Sequence, residues 1–376
     1  MTGLDRRTFL GAVGAAGLTT VLGSQLANAS EQTCGPKGTG AIYVSSYTSS
    51  GHGLDVAHRD ATTNALVVDR TIPGVSNASW FDISADRKTL YVTNEDENGQ
   101  ISAFSLADPV KPKLLNKKSA KGQHPTHLSV HSSQKYVLAA NYSSGSVVVL
   151  PILAGGKLGD VVDLAQHKGA ERQAHAHQVV NDPTGRWVLA VDLGADSVYV
   201  YKLDVATGKL KLNQQLKLPS GAGPRHLAFH PNGKYAYILG ELRAEVTVAA
   251  WNPATGKLTA GQIVPAVPAG TPGEQYPGEI ATSKDGRFVY ASVRGSDTIA
   301  SFGVGEDGKS LKLLNNAPVG GVYPRHFTLD PTERWFYVSS DKSGTLSWLP
   351  RDPDTGLPGV VAGKLALPQV NSVFFA

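Results

Sequence analysis

One pattern recurs through most of this chain at a spacing near 50 residues. The segments ASWFDISADRKTLYVTNEDENGQISAFSL, THLSVHSSQKYVLAANYSSGSVVVLPI, AHQVVNDPTGRWVLAVDLGADSVYVYKLD, RHLAFHPNGKYAYILGELRAEVTVAAWN, GEIATSKDGRFVYASVRGSDTIASFGVG and RHFTLDPTERWFYVSSDKSGTLSWLPRD align with one another. Taking Trp80, His127, His177, His226, Glu279 and His326 as equivalent positions gives intervals of 47, 50, 49, 53 and 47 residues. Each copy opens with a short strand and a polar turn such as DPTG, HPNG or SKDG. A strongly apolar second strand follows, then an alternating third as in SVYVYKL, then a weaker fourth after turns like ATGKL or EDGKS. Four strands at this period are the size of a propeller blade and larger than a helical repeat. No helix-length amphipathic stretch interrupts the pattern after the first thirty residues. The 41 glycines and 22 prolines suit a fold made of many tight turns.

The ends complete the count. Ala41 to Val44 matches a second strand, residues around Gly53 to Arg59 a third, and Asn64 to Arg70 a fourth. This first unit lacks an inner strand, and Val370-Asn371-Ser372-Val373-Phe374-Phe375 supplies one by aligning with Pro324 to Leu329. Six whole units and one split unit predict an all-β, seven-bladed propeller closed by three N-terminal strands and one C-terminal inner strand. Closure of this kind removes the open sheet edges that invite aggregation. The expected propeller domain is 41–376, preceded by a short lead-in over 30–40, with Pro265 to Pro277 a long loop over one face.

The first 29 residues read differently. Arg6-Arg7-Thr8-Phe9-Leu10 opens an apolar, Gly/Ala-rich run too short to span a bilayer comfortably, and Ala27-Asn28-Ala29 offers a small-x-small cleavage site. This is the pattern of a twin-arginine export signal, with the export machinery as its partner and the periplasm or exterior as destination. Cys34 is the single cysteine, which excludes an intrachain disulfide and any CxxC site. The formal charge of +4 includes no dense Lys/Arg block, so a nucleic-acid partner is not expected. Nor is a membrane span after cleavage, and a monomer is the default.

Polar residues crowd the expected starts of the inner strands: His124, His127, His175, His177, Arg225, His226, Glu279, Arg325 and His326, with His131, His167 and His230 nearby. A second polar set marks the ends of second strands: Glu95, Asn141, Asp192, Glu241, Arg294 and Asp341. Acids and bases converging on a channel mouth suit an anionic, oxygen-rich ligand. They equally suit a non-catalytic binding propeller, since fold does not fix function. No GxSxG elbow, HExxH or calcium loop is present. His175 and His177 lie two apart and would point the same way, but no third metal ligand is evident, so neither metal nor cofactor is expected.

Four segments carry a resemblance that covers essentially the whole chain after the leader. AHAHQVVNDPTGRWVLAVDLGADSVYVY, GPRHLAFHPNGKYAY, ILGELRAEVTVAAW and VYASVRGSDTIASF resemble the seven-bladed lactonase family, which includes propeller 6-phosphogluconolactonases and carboxymuconate-lactonizing enzyme. The resemblance implies catalytic roles for His177, Arg225, Glu241 and Arg294. His127, His175, His226, Arg325 and His326 are expected around the substrate. Val293 stands where the family usually has Asn, and Asp341 where Gln is common, so the resemblance leaves the substrate open. Lactone hydrolysis then needs a base for water, an oxyanion donor and an acid for the leaving oxygen. Glu241 is expected as base, His177 as acid or water-orienting partner, and the two arginines as anion and oxyanion stabilisers, with the reverse cyclisation onto an alkene as a related possibility. For the leader, mass spectrometry of the exported protein should find a mature chain beginning near Ser30; a start well beyond Cys34 or a retained leader would refute the assignment.

Overall fold

The computed structural model describes residues 40–376. The export signal expected over 1–29, and all but the last residue of the lead-in, lie outside the described residues. Twenty-eight strands between Ile42 and Phe375 sort into seven antiparallel sheets of four. Blades 1 to 6 cover 78–119, 125–166, 176–217, 224–265, 276–318 and 324–366. Blade 7 joins Ile42–Ser46, Leu54–Arg59 and Leu66–Ile72 to the inner strand Val370–Phe375. The two chain ends meet with Ile42 opposite Phe375, Val44 opposite Val373 and Ser45 opposite Ser372, which is the closure expected from the missing first strand.

The second strands explain why the sequence is so apolar there. Each blade is covered on both faces by its neighbours, so Thr89–Asn94 and Tyr136–Asn141 are buried at every position rather than at alternate ones. Tyr237 and Leu239 of blade 4 pack with Val289, Ala291 and Phe302 of blade 5, while Ala236 and Ile238 face Leu189 and Val191 of blade 3. The core therefore lies between blades, as seven slabs rather than one centre. The outermost strands, such as Lys209–Lys217, are only partly covered, with no fully buried position in that one.

A recurring polar contact fastens these slabs. At or beside the start of each second strand, one aromatic side chain donates a hydrogen bond to a backbone carbonyl in the next blade's outer hairpin. Tyr43 reaches Pro109 O (2.9 Å), Tyr91 Gly156 O (3.0 Å), Tyr136 Val205 O (3.2 Å) and Trp187, through Nε1, Pro253 O (2.9 Å). Tyr237 reaches Gly308 O (2.9 Å), Tyr290 Gly356 O (2.8 Å) and Tyr337 Asn64 O (2.8 Å). All seven interfaces are crossed this way. Each bond satisfies a polar atom that the apolar slab would otherwise strand, worth about 1 kcal/mol net.

The register of the inner strands corrects one sequence alignment. Every inner strand carries an extra residue near its start, where the pairing with the second strand shifts. Pro224 pairs Gly240 and His226 pairs Leu239, so Arg225 is the unpaired residue. In blade 3 Ala176 pairs Asp192 and Gln178 pairs Val191, so the unpaired residue is His177. His177 is therefore the counterpart of Arg225 and Arg325, and Gln178, not His177, matches His127, His226 and His326. The bulge also turns two successive side chains toward the channel, which strict alternation forbids. Arg225 and His226 both line it, as do Arg325 and His326. Arg225 is thus not turned away from His226, as period-2 alternation would have it. Deleting Val370 to Ala376 removes an inner strand and exposes the edge of Ile42–Ser46. We expect that variant to lose its cooperative melting transition by circular dichroism and to elute as aggregate on size exclusion; a native-like melt would refute ring closure as the source of stability.

Candidate active site

Two rings of side chains narrow the channel at the end where inner strands begin. The bulge residues form the first: Ser79, Thr126, His177, Arg225, Gly278, Arg325 and Asn371. The residues that follow form the second, among them Trp80, His127, His226, Glu279 and His326. Together they enclose a narrow neck lined by His177, Arg225, His226, Glu279, Arg325 and His326. His127 stands just behind it, stacked on Trp80 at 4.2 Å between ring centroids and edge-on to His226 at 5.4 Å.

Above the neck, the residue after each second strand points into the mouth. Gly240 pairs Pro224 and Val293 pairs Pro277, so Glu241 and Arg294 are equivalent, as are Tyr47, Glu95, Tyr142 and Asp341. Asn141 and Asp192 lie one residue earlier and are fully buried inside their blades. Asn141 donates to Ala120 O and Ser146 Oγ, and Asp192 accepts from the amides of His175 and Ala195. They are structural, and their expected place at the mouth falls to Tyr142 and Leu193.

Glu241 joins the two central arginines. Its Oε2 lies 3.1 Å from Arg225 Nε and 2.8 Å from Arg294 Nη2, with the carboxylate side chain 17% exposed and both guanidiniums almost wholly buried. Arg294 is fixed further by donating to Tyr276 O (2.6 Å) and Pro277 O (2.9 Å), and it lies over the Tyr323 ring. Arg225 donates to Gly278 O. Burial, then repulsion from Arg294 and Arg325, pushes its pKa down to about 9, which still leaves it cationic at neutrality. Arg325 sits across the mouth, 3.5 Å from Glu95 Oε2 and over the Tyr47 ring. Burial opposes its charge, but Tyr47, Glu95 and Asp341 outweigh that and raise its pKa.

The histidines are held neutral. His177 is 5% exposed, and burial followed by Arg225 and His226 holds its pKa well below the usual imidazole range. His226 and His127 are lowered for the same leading reason, and His326 falls to about 4 despite the opposing pull of Glu279. Glu279 accepts from His226 Nδ1 at 2.9 Å and from the Ile280 amide at 2.9 Å, while burial raises its own pKa.

The structure thus brings His177, Arg225, His226, Arg325 and His326 to one cavity and ties Arg225 and Arg294 to Glu241. His175 lies to the side, stacked on Tyr142 at 4.5 Å with Nδ1 bonded to Tyr142 O. His131 and His230 belong to the turns at the far ends of their inner strands, and His124 bonds Ser143 Oγ. Among the described residues no group of three or more His, Cys, Asp or Glu side chains has metal-site geometry. Tyr142 went unread in the sequence. Its ring stands edge-on to His177 at 5.6 Å, and its hydroxyl pKa is raised by burial and then by Glu241. Register was the signal for it, since it follows its second strand as Glu241 does.

Residues 41–375 match the family described as lactonase, 7-bladed beta-propeller. The 6-phosphogluconolactonase of Bacillus subtilis is 34% identical over 341 residues, covering 89% of this chain and 97% of that protein. The solved structure of the Pseudomonas aeruginosa periplasmic gluconolactonase superposes with a TM-score of 0.85 at 30% identity, covering 89% of this chain and 98% of that one. A structure described as a putative 6-phosphogluconolactonase from Bacteroides fragilis gives a TM-score of 0.83 at 27% identity, covering 90% and 98%.

The neutral histidines set a pH dependence. Their folded pKa values lie below the unfolded value of 6.5, so between 6.5 and about 4 the unfolded chain binds more protons and stability falls as pH falls. His326 alone accounts for about 3 kcal/mol across that window. The raised pKa of Glu279 acts oppositely, but as one group against four. The melting temperature should drop steadily from pH 6.5 to 4, and less steeply in His326→Gln; a flat profile would refute the buried neutral cluster.

Proposed function

The chain belongs to the seven-bladed β-propeller lactonase family, and from that premise we propose that it hydrolyses an unphosphorylated sugar or aldonic lactone in the periplasm. The observation carrying this reading is Glu241 held between Arg225 and Arg294 beside a neutral His177 at the channel mouth. The guanidiniums of the mouth are matched by carboxylates: Arg225 and Arg294 share Glu241, and Arg325 faces Glu95 with Asp341 nearby. A phosphate dianion would have to compete with those carboxylates, whereas hydroxyl groups can bond to donors and acceptors alike. The proposed leader and the periplasmic gluconolactonase among similar structures support the same compartment and substrate.

The roles differ from those expected of the sequence. Glu241 uses one oxygen to hold both guanidiniums, so it serves as their clamp, with its other oxygen available to orient water. His177 Nδ1 is enclosed in the neck, which leaves Nε2 as the nitrogen facing the mouth. A neutral imidazole there takes a proton from water as hydroxide adds to the lactone carbonyl. The oxyanion forms against Arg225 and Arg294, which are already in place and need no reorganisation. The imidazolium then returns that proton to the ring oxygen as the C–O bond breaks, giving the hydroxy acid. Ring strain and poor resonance in the lactone reduce what the site must contribute.

The test is a pH-stat panel of glucono-δ-lactone, its 6-phosphate and a muconate-type lactone, with spontaneous hydrolysis subtracted. We expect kcat/KM to favour the unphosphorylated sugar lactone and to hold down through pH 6.5, falling only at lower pH where His177 protonates. His177→Gln should cost ~10²–10⁴-fold in kcat and abolish that acid limb, whereas Glu241→Gln should weaken turnover and keep the limb. Preference for the 6-phosphate would overturn the substrate assignment, and hydrolysis of no lactone would favour a binding propeller.

A further inference from the structure

The neck holds more buried chemistry than hydrolysis at the mouth uses. Besides Arg225 Nε, which faces Glu241, four polar atoms lining it have no hydrogen-bond partner in the protein: His177 Nδ1, His226 Nε2, Glu279 Oε2 and Asn371 Oδ1. The residues carrying them are all more than nine-tenths buried. Stranding that many polar atoms in one place is costly, so their common orientation calls for an explanation. The His177 and His226 rings stand 5.0 Å apart at 68°. The space they line has room for about one water.

Tautomers follow from the contacts. Glu279 Oε1 also accepts the Ile280 amide, and a carboxylate there makes His226 Nδ1 the donor of the 2.9 Å bond between them. His226 Nε2 is then a bare acceptor facing the neck. The complementary donor in the same neck is a proton on His177 Nδ1, which fixes the lone pair of His177 on Nε2, toward the mouth.

We propose that Glu279, His226 and His177 form a relay in which Glu279 and His226 are positioning residues that set the tautomer of His177 and stabilise its imidazolium. The proposal rests on His177 acting as the base described above. The link between the two rings is a slight tilt or one bridging water. In the step itself, His177 Nε2 gains the proton that water loses and later passes it to the ring oxygen. The Nδ1 proton stays on His177, shared toward His226 Nε2, and His226 keeps its own Nδ1 proton against Glu279. No net proton leaves the site. The negative charge of Glu279 offsets the positive charge gained by His177, a need made acute by Arg225, Arg294 and Arg325 close by. His127 stands edge-on to His226, and His326 Nε2 lies 3.7 Å from the second oxygen of Glu279, both as neutral rings.

The test uses the full chain in two measurements. In Glu279→Gln, which keeps shape and an acceptor but removes charge, kcat should fall about tenfold to a hundredfold. KM should change little, and the acid limb of kcat/KM should move to lower pH because the imidazolium has lost its counter-charge. Glu279→Asp should restore part of the rate and the limb. His226→Gln should match Glu279→Gln, and the double variant should be no worse than either, since both break one chain. Imidazole ¹⁵N spectra of the wild type should show His226 and His177 each protonated at Nδ1, a readout independent of turnover. Unchanged kcat and acid limb in Glu279→Gln, or a His226 protonated at Nε2, would overturn the relay. A wild type that hydrolyses no lactone would sink the functional reading, while the spectra would still decide the tautomers.

Discussion

Each blade is a sheet apolar on both faces, and neither face can be left to water. That constraint governs the rest. A four-stranded sheet with a second strand buried throughout has to be sandwiched, and its neighbours have the same need, so the series must return on itself. The strand Val370–Phe375 ends it by pairing with Ile42–Ser46. The seven aromatic donors that cross the interfaces are the polar complement of the same packing. They tie each slab to the outer hairpin of the next at the radius where blades would otherwise splay.

Closure leaves an axis, and the bulges decide what faces it. An uninterrupted inner strand would present one residue of every two. The extra residue near each start lets two in succession face it, as Arg225 and His226 do, and Arg325 and His326. The cost is a crowd of like charges and orphaned polar atoms. It is met by Glu241, which answers Arg225 of its own blade and Arg294 of the next, and by Glu95 and Glu279, which answer a cation and an imidazole on other blades. The electrostatics of the site are therefore a property of the ring rather than of any one blade.

This division explains what the sequence could and could not convey. The period, the blade count and the split blade are written in local patterning, because turn residues and apolar second strands recur regardless of position. Register within a blade is subtler. Aligning blade 3 on its histidine rather than on the turn beginning at Asp182 moved it by one residue and hid the equivalence of His177 with Arg225. The same slip put Asp192 in the place of Leu193, and a separate one-residue slip in blade 2 put Asn141 in the place of Tyr142. Partnerships lie further out of reach: Arg325 and Glu95 meet across 230 residues, and His226 and Glu279 across 53. Residue types in a column indicate that charge gathers at the mouth, but only the closed ring says which charge meets which.

The split blade also bears on how the molecule forms. Ser45 and Ser372, hydrogen-bonded to one another in the finished ring, are 327 residues apart in the chain. Blades 1 to 6 are local assemblies of about 40 residues that can collapse in the order they are made. The seventh cannot exist until Val370–Phe375 has emerged from the ribosome, and until then the partial ring presents two uncovered faces. Closure therefore has to wait for Val370–Phe375, with a slow, entropically expensive docking of that strand on Ile42–Ser46. Once that happens the last strand becomes the pin of the whole ring, so a pull applied at the C-terminus would unfasten this protein far more readily than the same force applied across any other blade.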